Sequence, residues 1–415
     1  MHGMVRERIT CRICNAKDID PFLDLGLMPL PNGFLPPDKL KEQEPLYPLS
    51  VGVCRKCKLV QLTAVVEPSV MFKNYVYIPS ASQTRLDNFA SIVHEALTLR
   101  PATPEALAVD IGSNDGSLLL EFKKQGVKTL GVDPAENLSL VAELKGIHTL
   151  NTYFSAKTAL KIRNTFGQAR YITATNVVAH IDNLHDFFYG ISLLLGTDSI
   201  FICEFPYLVD LLEKKLFDTI YQEHLSYFAI GPLLGVIDRY ALRIISIKRT
   251  PIDGGALRIV IGKKDKPSNE ENVEVRRLLM LEKKAGLNTF TTYKRFASAV
   301  RRLRKEIKTM LHAIKKKKKS IAGYGAAARG NILMNYCGVG KAEIDFIVDS
   351  TPYKQGLFTP GTHIPIYAEE EILKQRPDYV LILAWNFAEE IIKKQHAYHR
   401  SGGKFIIPVP HVKII

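Results

Sequence analysis

Residues 106–126 read ALAVDIGSNDGSLLLEFKKQG, and the punctuation of this stretch decides the fold. The apolar run into Asp110 reads as a strand buried on both faces, whereas Ser117 to Gln125 has the pattern of a helix. Gly112 and Gly116 lie between them, where a tight strand-to-helix turn needs backbone angles other residues avoid. A second apolar run, VKTLGVD, ends at Asp133, 23 residues beyond Asp110. The sequence therefore predicts a βαβ nucleotide unit with an acid placed to accept ribose hydroxyls, and an α/β doubly wound sheet around it.

Charge indicates which nucleotide. A dinucleotide rests its pyrophosphate on the helix N-terminus, which requires a loop without competing anions. This loop carries Asp110 and Asp115, which would repel phosphate but suit the ammonium and sulfonium groups of S-adenosylmethionine. The candidate cofactor-binding residues are Asp110, Gly112, Asn114, Gly116, Asp133 and Asn176. The last ends a later strand, YITATNV, which runs into Val178-Ala-His180-Ile-Asp182 at the ligand edge of such a sheet. The following strand, SIFICEF, leads into Pro206 and Tyr207; EFPY is one strand too late to be the acid-Pro-Pro-aromatic box of amino-methylating enzymes.

Upstream, Cys11-Arg-Ile-Cys14 and Cys54-Arg-Lys-Cys57 are paired CxxC knuckles. Two such knuckles supply four soft ligands for a closed, tetrahedral, structural zinc site, and a segment rich in turn residues must fold between them. Disulfides are the alternative, disfavoured because the start MHGMVRERIT lacks the apolar core of a secretory signal. Cys203 and Cys337 are expected in the core. No apolar run approaches the ~18 residues of a membrane span, and a cytoplasmic location is expected.

The net charge of +14 invites a nucleic-acid reading. Residues 301–319, however, hold ten Lys/Arg and one Glu, so nine of those fourteen charges are local. Leu303, Ile307, Met310, Leu311 and Ile314 recur there at helical spacing, which makes the charges the wet face of an amphipathic helix, or a patch for an anionic ligand. No nucleic-acid or membrane partner is expected. The proton-transfer candidates lie in LFDTIYQEHLSYFAI (216–230), where Tyr221, Glu223, His224 and Tyr227 fall within seven positions.

CRIC…CRKC, DIGSNDGSLL, NVVAHIDNLHDF, EFPYLVDLL, DTIYQEHLSYF and GYGAAARGNILMNYCG, with IVDSTPYKQG and PGTHIPIY, span residues 11–368. In this combination the chain resembles the nucleotide-sugar C-methyltransferases of deoxysugar biosynthesis. The resemblance implies methylation, with S-adenosylmethionine, of a ring carbon beside the 4-keto group of a dTDP-linked hexose. It implies His224 as general base, Glu223 and Tyr221 as orienting groups, and His180 and a tyrosine of YVYIPSAS in the pocket, Tyr77 being chosen over Tyr75. The sequence departs from the pattern at Gln222, where a second histidine is common, and at IDGGALR (252–258), where HGGSLR is typical; both bear on which sugar is used.

Beyond the basic helix, Gly323, Gly325 and Ala328 satisfy G-x-G-x-x-G/A between a strand and a helix, and Asp349 ends the next strand. This loop has no acid, and Arg329 and Lys354 are nearby. Three readings stay open: a site for the substrate's diphosphate, formed by Gly323, Gly325, Arg329 and Lys354; an NAD site; or a duplicated fold unit whose glycines permit close packing. DYVLILAWNFAEEI adds a strand and helix whose Trp385 is expected in packing. The expected architecture is a zinc-binding module (1–75), a class I methyltransferase domain (76–265) and a helical connection leading to a Rossmann-like substrate domain (266–415), as a monomer or small homo-oligomer. The alternatives are a zinc-ribbon nucleic-acid methyltransferase and a non-catalytic nucleotide-sugar binding protein.

Overall fold

The computed structural model describes residues 4–73, 75–264 and 272–415. The expected boundary at 265–266 lies outside the described residues. Leu107–Ile111 and Lys128–Val132 are adjacent parallel strands joined through the helix Ser117–Lys124, as the glycine punctuation predicts. Gly112 and Gly116 adopt φ of 68° and 75°, and Asn114 between them also has positive φ (51°). A Cβ on Gly112 would lie 2.3 Å from Val177, so the loop closes on the neighbouring strand end only because no side chain intervenes.

These strands form the centre of a seven-stranded sheet. From one edge the order is Leu242–Thr250, Ala256–Lys263, Leu195–Pro206, Ala169–Thr175, Leu107–Ile111, Lys128–Val132 and Thr149–Leu150. Ala256–Lys263 runs antiparallel to both neighbours, while the pairs from Leu195–Pro206 to Thr149–Leu150 are parallel. Strand order reverses beside Leu107–Ile111, so a crevice opens at its carboxyl end, where such sheets bind ligands. Numbered along the sheet's own chain order this is 3-2-1-4-5-7-6 with the seventh strand reversed, the class I methyltransferase arrangement.

The N-terminal residues between the knuckles form a hairpin, Ile19–Met28 with Tyr47–Cys54, continued by Val60–Leu62. The fourth strand of this sheet is Ser226–Tyr227, contributed by the middle of the chain. Beyond residue 272, the 27-residue helix Phe290–Lys316 buries Leu303, Ile307, Leu311 and Ile314, with Met310 half-buried and most of its lysines and arginines exposed. That is the solvated-face reading of the basic stretch. It packs on the N-terminal hairpin through Phe22 and Tyr293, whose rings are 5.0 Å apart. The C-terminal sheet of six strands is ordered Ile366–Tyr367, Phe346–Val348, Ile321–Tyr324, Tyr379–Ile382, Lys404–Ile407, Lys413–Ile414, parallel except at the last. One continuous apolar core joins the seven-, four- and six-stranded sheets, and Cys203 and Cys337 belong to it. No helix among the described residues is long and apolar enough to cross a membrane.

Candidate active site

The four knuckle sulfurs lie within 4.8 Å of one another, with Cys11 and Cys54 buried and Cys14 and Cys57 half-buried. Four converging thiols with no carboxylate or histidine among them fit a closed structural zinc site.

A cleft of about 590 Å³ runs from the methyltransferase crevice to the C-terminal sheet. At its inner end Asp133 accepts hydrogen bonds from the backbone N–H groups of Asn114 and Ala135, both at 2.8 Å. Each carboxylate oxygen keeps a lone pair free for a ribose hydroxyl. Asp110 accepts from Thr173 Oγ1 at 2.6 Å, and burial pushes its carboxyl up to about 7. Gly112, Asn114 and Asn176 also line the cleft. These residues fit an adenosyl ligand carrying a cationic amino-acid end.

Two expectations need correcting. Asp115 does not face the cleft: it is fully buried, pairs with Lys145 at 2.8 Å and accepts from the Ser117 N–H. It holds a first-turn N–H of the helix, and the carboxylates that line this part of the cleft are Asp110 and Asp133. Gly116 is the left-handed residue before the helix and packs on Ala142 and Ile147, also away from the cleft.

Deeper in, His224 makes two short contacts: Nδ1 to the Thr219 carbonyl at 2.8 Å and Nε2 to the Tyr221 hydroxyl at 2.9 Å. Only a protonated Nδ1 can satisfy a carbonyl, so the neutral ring leaves Nε2 as an acceptor for the Tyr221 O–H. Burial lowers His224 to about 4 and raises Tyr221 well above the usual phenol range, so both are neutral near pH 7. His180 lies with its ring 5.0 Å from that of His224 and stacks on Phe72. His180 lines the cleft, and its Nε2 is buried without a hydrogen-bond partner among the described residues.

Glu223 sits behind the cleft wall, where burial raises it to about 7. It accepts from the Tyr75 hydroxyl at 2.7 Å and from Asn32 Nδ2 at 2.6 Å. Tyr75 is thus the tyrosine joined to the YQEHLSY segment. Tyr77 lines the cleft beside Arg85, accepting from its Nε at 3.1 Å. Sequence reasoning missed Asn32, Arg85 and Asp253. The Asp253 carboxylate bonds Arg85 and the Asn176 amide, and its φ is 56°. The one signal for it was the departure at IDGGALR; nothing local marks Asn32 or Arg85.

In the C-terminal unit, Asp349 repeats the anchoring of Asp133: its oxygens accept from the N–H groups of Ala326 (2.7 Å) and Thr351 (2.8 Å). Gly325 lines the cleft, but Gly323 lies within its strand against Ile347 and Leu383, where it serves packing. Arg329 and Lys354 reach the cleft wall already engaged. Arg329 makes a bidentate pair with Asp218 (3.1 and 3.2 Å) and lies 4.4 Å over the Trp385 ring. Lys354 donates to the Ala326 carbonyl at 3.0 Å and lies 3.6 Å from Asp349. Both thus line the cleft as the sequence places them, with carboxylates already beside them.

A crevice at the switch point of a 3-2-1-4-5-7-6 sheet, lined by Asp110 and Asp133 beside a glycine turn, is that of an S-adenosylmethionine-dependent methyltransferase. Three family models match in chain order: "Putative zinc binding domain" over 11–72, "Methyltransferase domain" over 83–246 and "C-methyltransferase C-terminal domain" over 251–410. The chain is 35% identical, over all 415 of its residues and 99% of the other protein, to the C-methyltransferase NovU of Streptomyces niveus. Among solved structures, the plantazolicin methyltransferase BpumL in complex with SAH is 13% identical, covering 43% of this chain and 84% of that one at a TM-score of 0.36. An S-adenosylmethionine-dependent methyltransferase from Clostridium acetobutylicum is also 13% identical, covering 43% and 92% at 0.36. The chain belongs to the C-methyltransferase family and carries its N-terminal zinc-binding and C-terminal domains.

Proposed function

We propose that the protein methylates the carbon beside the keto group of a nucleotide-activated 4-keto-deoxysugar, with His224 as general base. The observation that carries this reading is the neutral His224, fixed by Thr219 with Nε2 on Tyr221 in the wall of the cofactor cleft. A ring carbon becomes a nucleophile only after a proton alpha to the ketone leaves. When bound, S-adenosylmethionine supplies the electrophilic methyl group. His224 takes the proton at Nε2, directly or by way of the Tyr221 oxygen, which passes its own proton to Nε2 as it receives the other. The C–H electron pair moves onto the keto oxygen, and the neutral imidazole of His180, which lines the cleft, donates its ring N–H to the enolate. Burial of these groups excludes water from the reacting carbon.

The nucleotide end of the substrate is assigned to the wall formed by Tyr324, Gly325, Ala328 and Arg329. There the helix Ala328–Cys337 begins without a side-chain cap, which leaves its first N–H groups for a diphosphate. The chain divides after residues 75 and 265 into the zinc-binding, methyltransferase and substrate-binding domains of this proposal. The test is proton exchange without methyl transfer. With S-adenosylhomocysteine in deuterium oxide, a dTDP-4-keto-6-deoxyhexose should exchange its alpha hydrogen in the wild type and not in His224→Ala. Equal exchange in both would remove His224 as the base.

A further inference from the structure

Arg12 stands between two zinc ligands, Cys11 and Cys14, and only 1% of it is exposed. Two of its three nitrogens, Nε and Nη1, are held by partners that lead to the two histidine segments of the cleft, whereas Nη2 has no hydrogen-bond partner among the described residues. Its Nε donates to Asp182 Oδ1 and its Nη1 to the Leu62 carbonyl, both at 2.9 Å. Asp182 lines the cleft two residues after His180. Arg6 and Arg8 also reach Asp182, but at the other carboxylate oxygen. Leu62 in turn donates its N–H to the carbonyl of Leu225, beside His224, at 3.0 Å, and Leu225 donates to Ala179 at 2.8 Å. The knuckle backbone also bonds outward, the Arg12 N–H donating to Gln61 Oε1 at 2.9 Å and the Ile13 carbonyl lying 2.7 Å from His185 Nε2.

We infer that Arg12 is a positioning residue: from within the zinc knuckle it sets the segments that carry His180 and His224 against one another. A methionine would fill a similar volume without the cost of burying charge. What the guanidinium adds is direction, since it aims donors at Asp182 and Leu62 together. The four cysteines hold the turn on which Arg12 rides, so the metal's contribution reaches the cleft through this side chain. The assignment rests on the proposal that both histidines act on substrate.

The test uses the full-length, zinc-loaded chain and the variants Arg12→Met, Arg12→Lys and Leu49→Ala, the last loosening the same sheet in its core. In Arg12→Met, amide hydrogen exchange over 179–186 and 222–228 should rise roughly 10- to 100-fold, the scale of one buried hydrogen bond to a charged group. Zinc content and S-adenosylmethionine affinity should hold, and kcat should fall more than KM rises. Arg12→Lys should recover part of this. Leu49→Ala should loosen the sheet without selecting those two segments. Chelator-treated wild type should show the same two segments exchanging first, which keeps the test valid if Arg12→Met does not fold. Unchanged exchange there in Arg12→Met, or an equal rise in Leu49→Ala, would overturn the inference. Selective exchange with unaffected turnover would support the anchoring and contradict the catalytic role of the histidines.

Discussion

Replacing His224 by alanine separates what the imidazole does for the fold from what it does for the reaction. The ring makes two hydrogen bonds, to Thr219 and to Tyr221, and is 8% exposed. Each bond contributes about 1 kcal/mol net, and the space left by the ring adds a cavity term, so a destabilisation of about 2–4 kcal/mol is expected. The loss in turnover should be larger in relative terms, ~10²-fold or more, the scale of an absent general base. The assay is single-turnover methyl transfer well below the variant's melting temperature, with calorimetry of S-adenosylmethionine alongside. Cofactor affinity should be nearly unchanged, because Asp110 and Asp133 hold their partners independently of His224. The pH profile gives a second check. With His224 lowered to about 4, the free enzyme should show no histidine limb near pH 6.5 in kcat/KM. Near-normal turnover of a keto-sugar by the folded variant would refute the reasoning and move the base to His180.

Asp133→Ala should weaken S-adenosylmethionine binding roughly 10- to 100-fold by removing the ribose acceptor and leaving two backbone N–H groups without their partner, read by calorimetry. Asp110, raised to about 7, is protonated in much of the apo protein below that pH; a cationic ligand favours its charged form, so binding near pH 6 should release protons and tighten as pH rises to 7. Asp110→Asn should abolish that release, as seen by titration in buffers of different ionisation enthalpy. The same raised pKa means that Asp110's contribution to apo stability is full below about 3.9 and lost as pH rises through about 7. Metal analysis should find about one zinc per chain, and Cys54→Ser should lower the melting temperature of the N-terminal module; zinc-free protein of unchanged stability would contradict the four-cysteine site.

The parts of this structure legible in the sequence are those that short segments decide. Gly112 and Asp133 mark a strand end and a loop whatever surrounds them, and the CxxC pairs announce their common ligand through spacing alone. Charges were read less well, because a carboxylate or guanidinium is defined by its partner. Asp115 and Lys145 are 30 residues apart, and Arg329 and Asp218 are 111 apart, so their pairing appears only once the chain is folded. Asn32 is a further case: a turn residue between the knuckles, it meets Glu223 191 positions later because Ser226–Tyr227 joins the N-terminal sheet. Two residues of strand carry that connection, too few for any periodicity to show.

The central claim is methyl transfer to carbon, and its most direct test follows the methyl group itself. The wild-type chain would be incubated with S-adenosylmethionine labelled with carbon-13 in the methyl group and with a panel of dTDP-4-keto-6-deoxyhexoses. The account predicts a labelled methyl resonance at the chemical shift of a carbon-bound methyl on one of these sugars, with loss of the hydrogen from the carbon beside the ketone. A labelled methyl found on oxygen or nitrogen, or no transfer to any keto-sugar by protein that binds the cofactor, would contradict it.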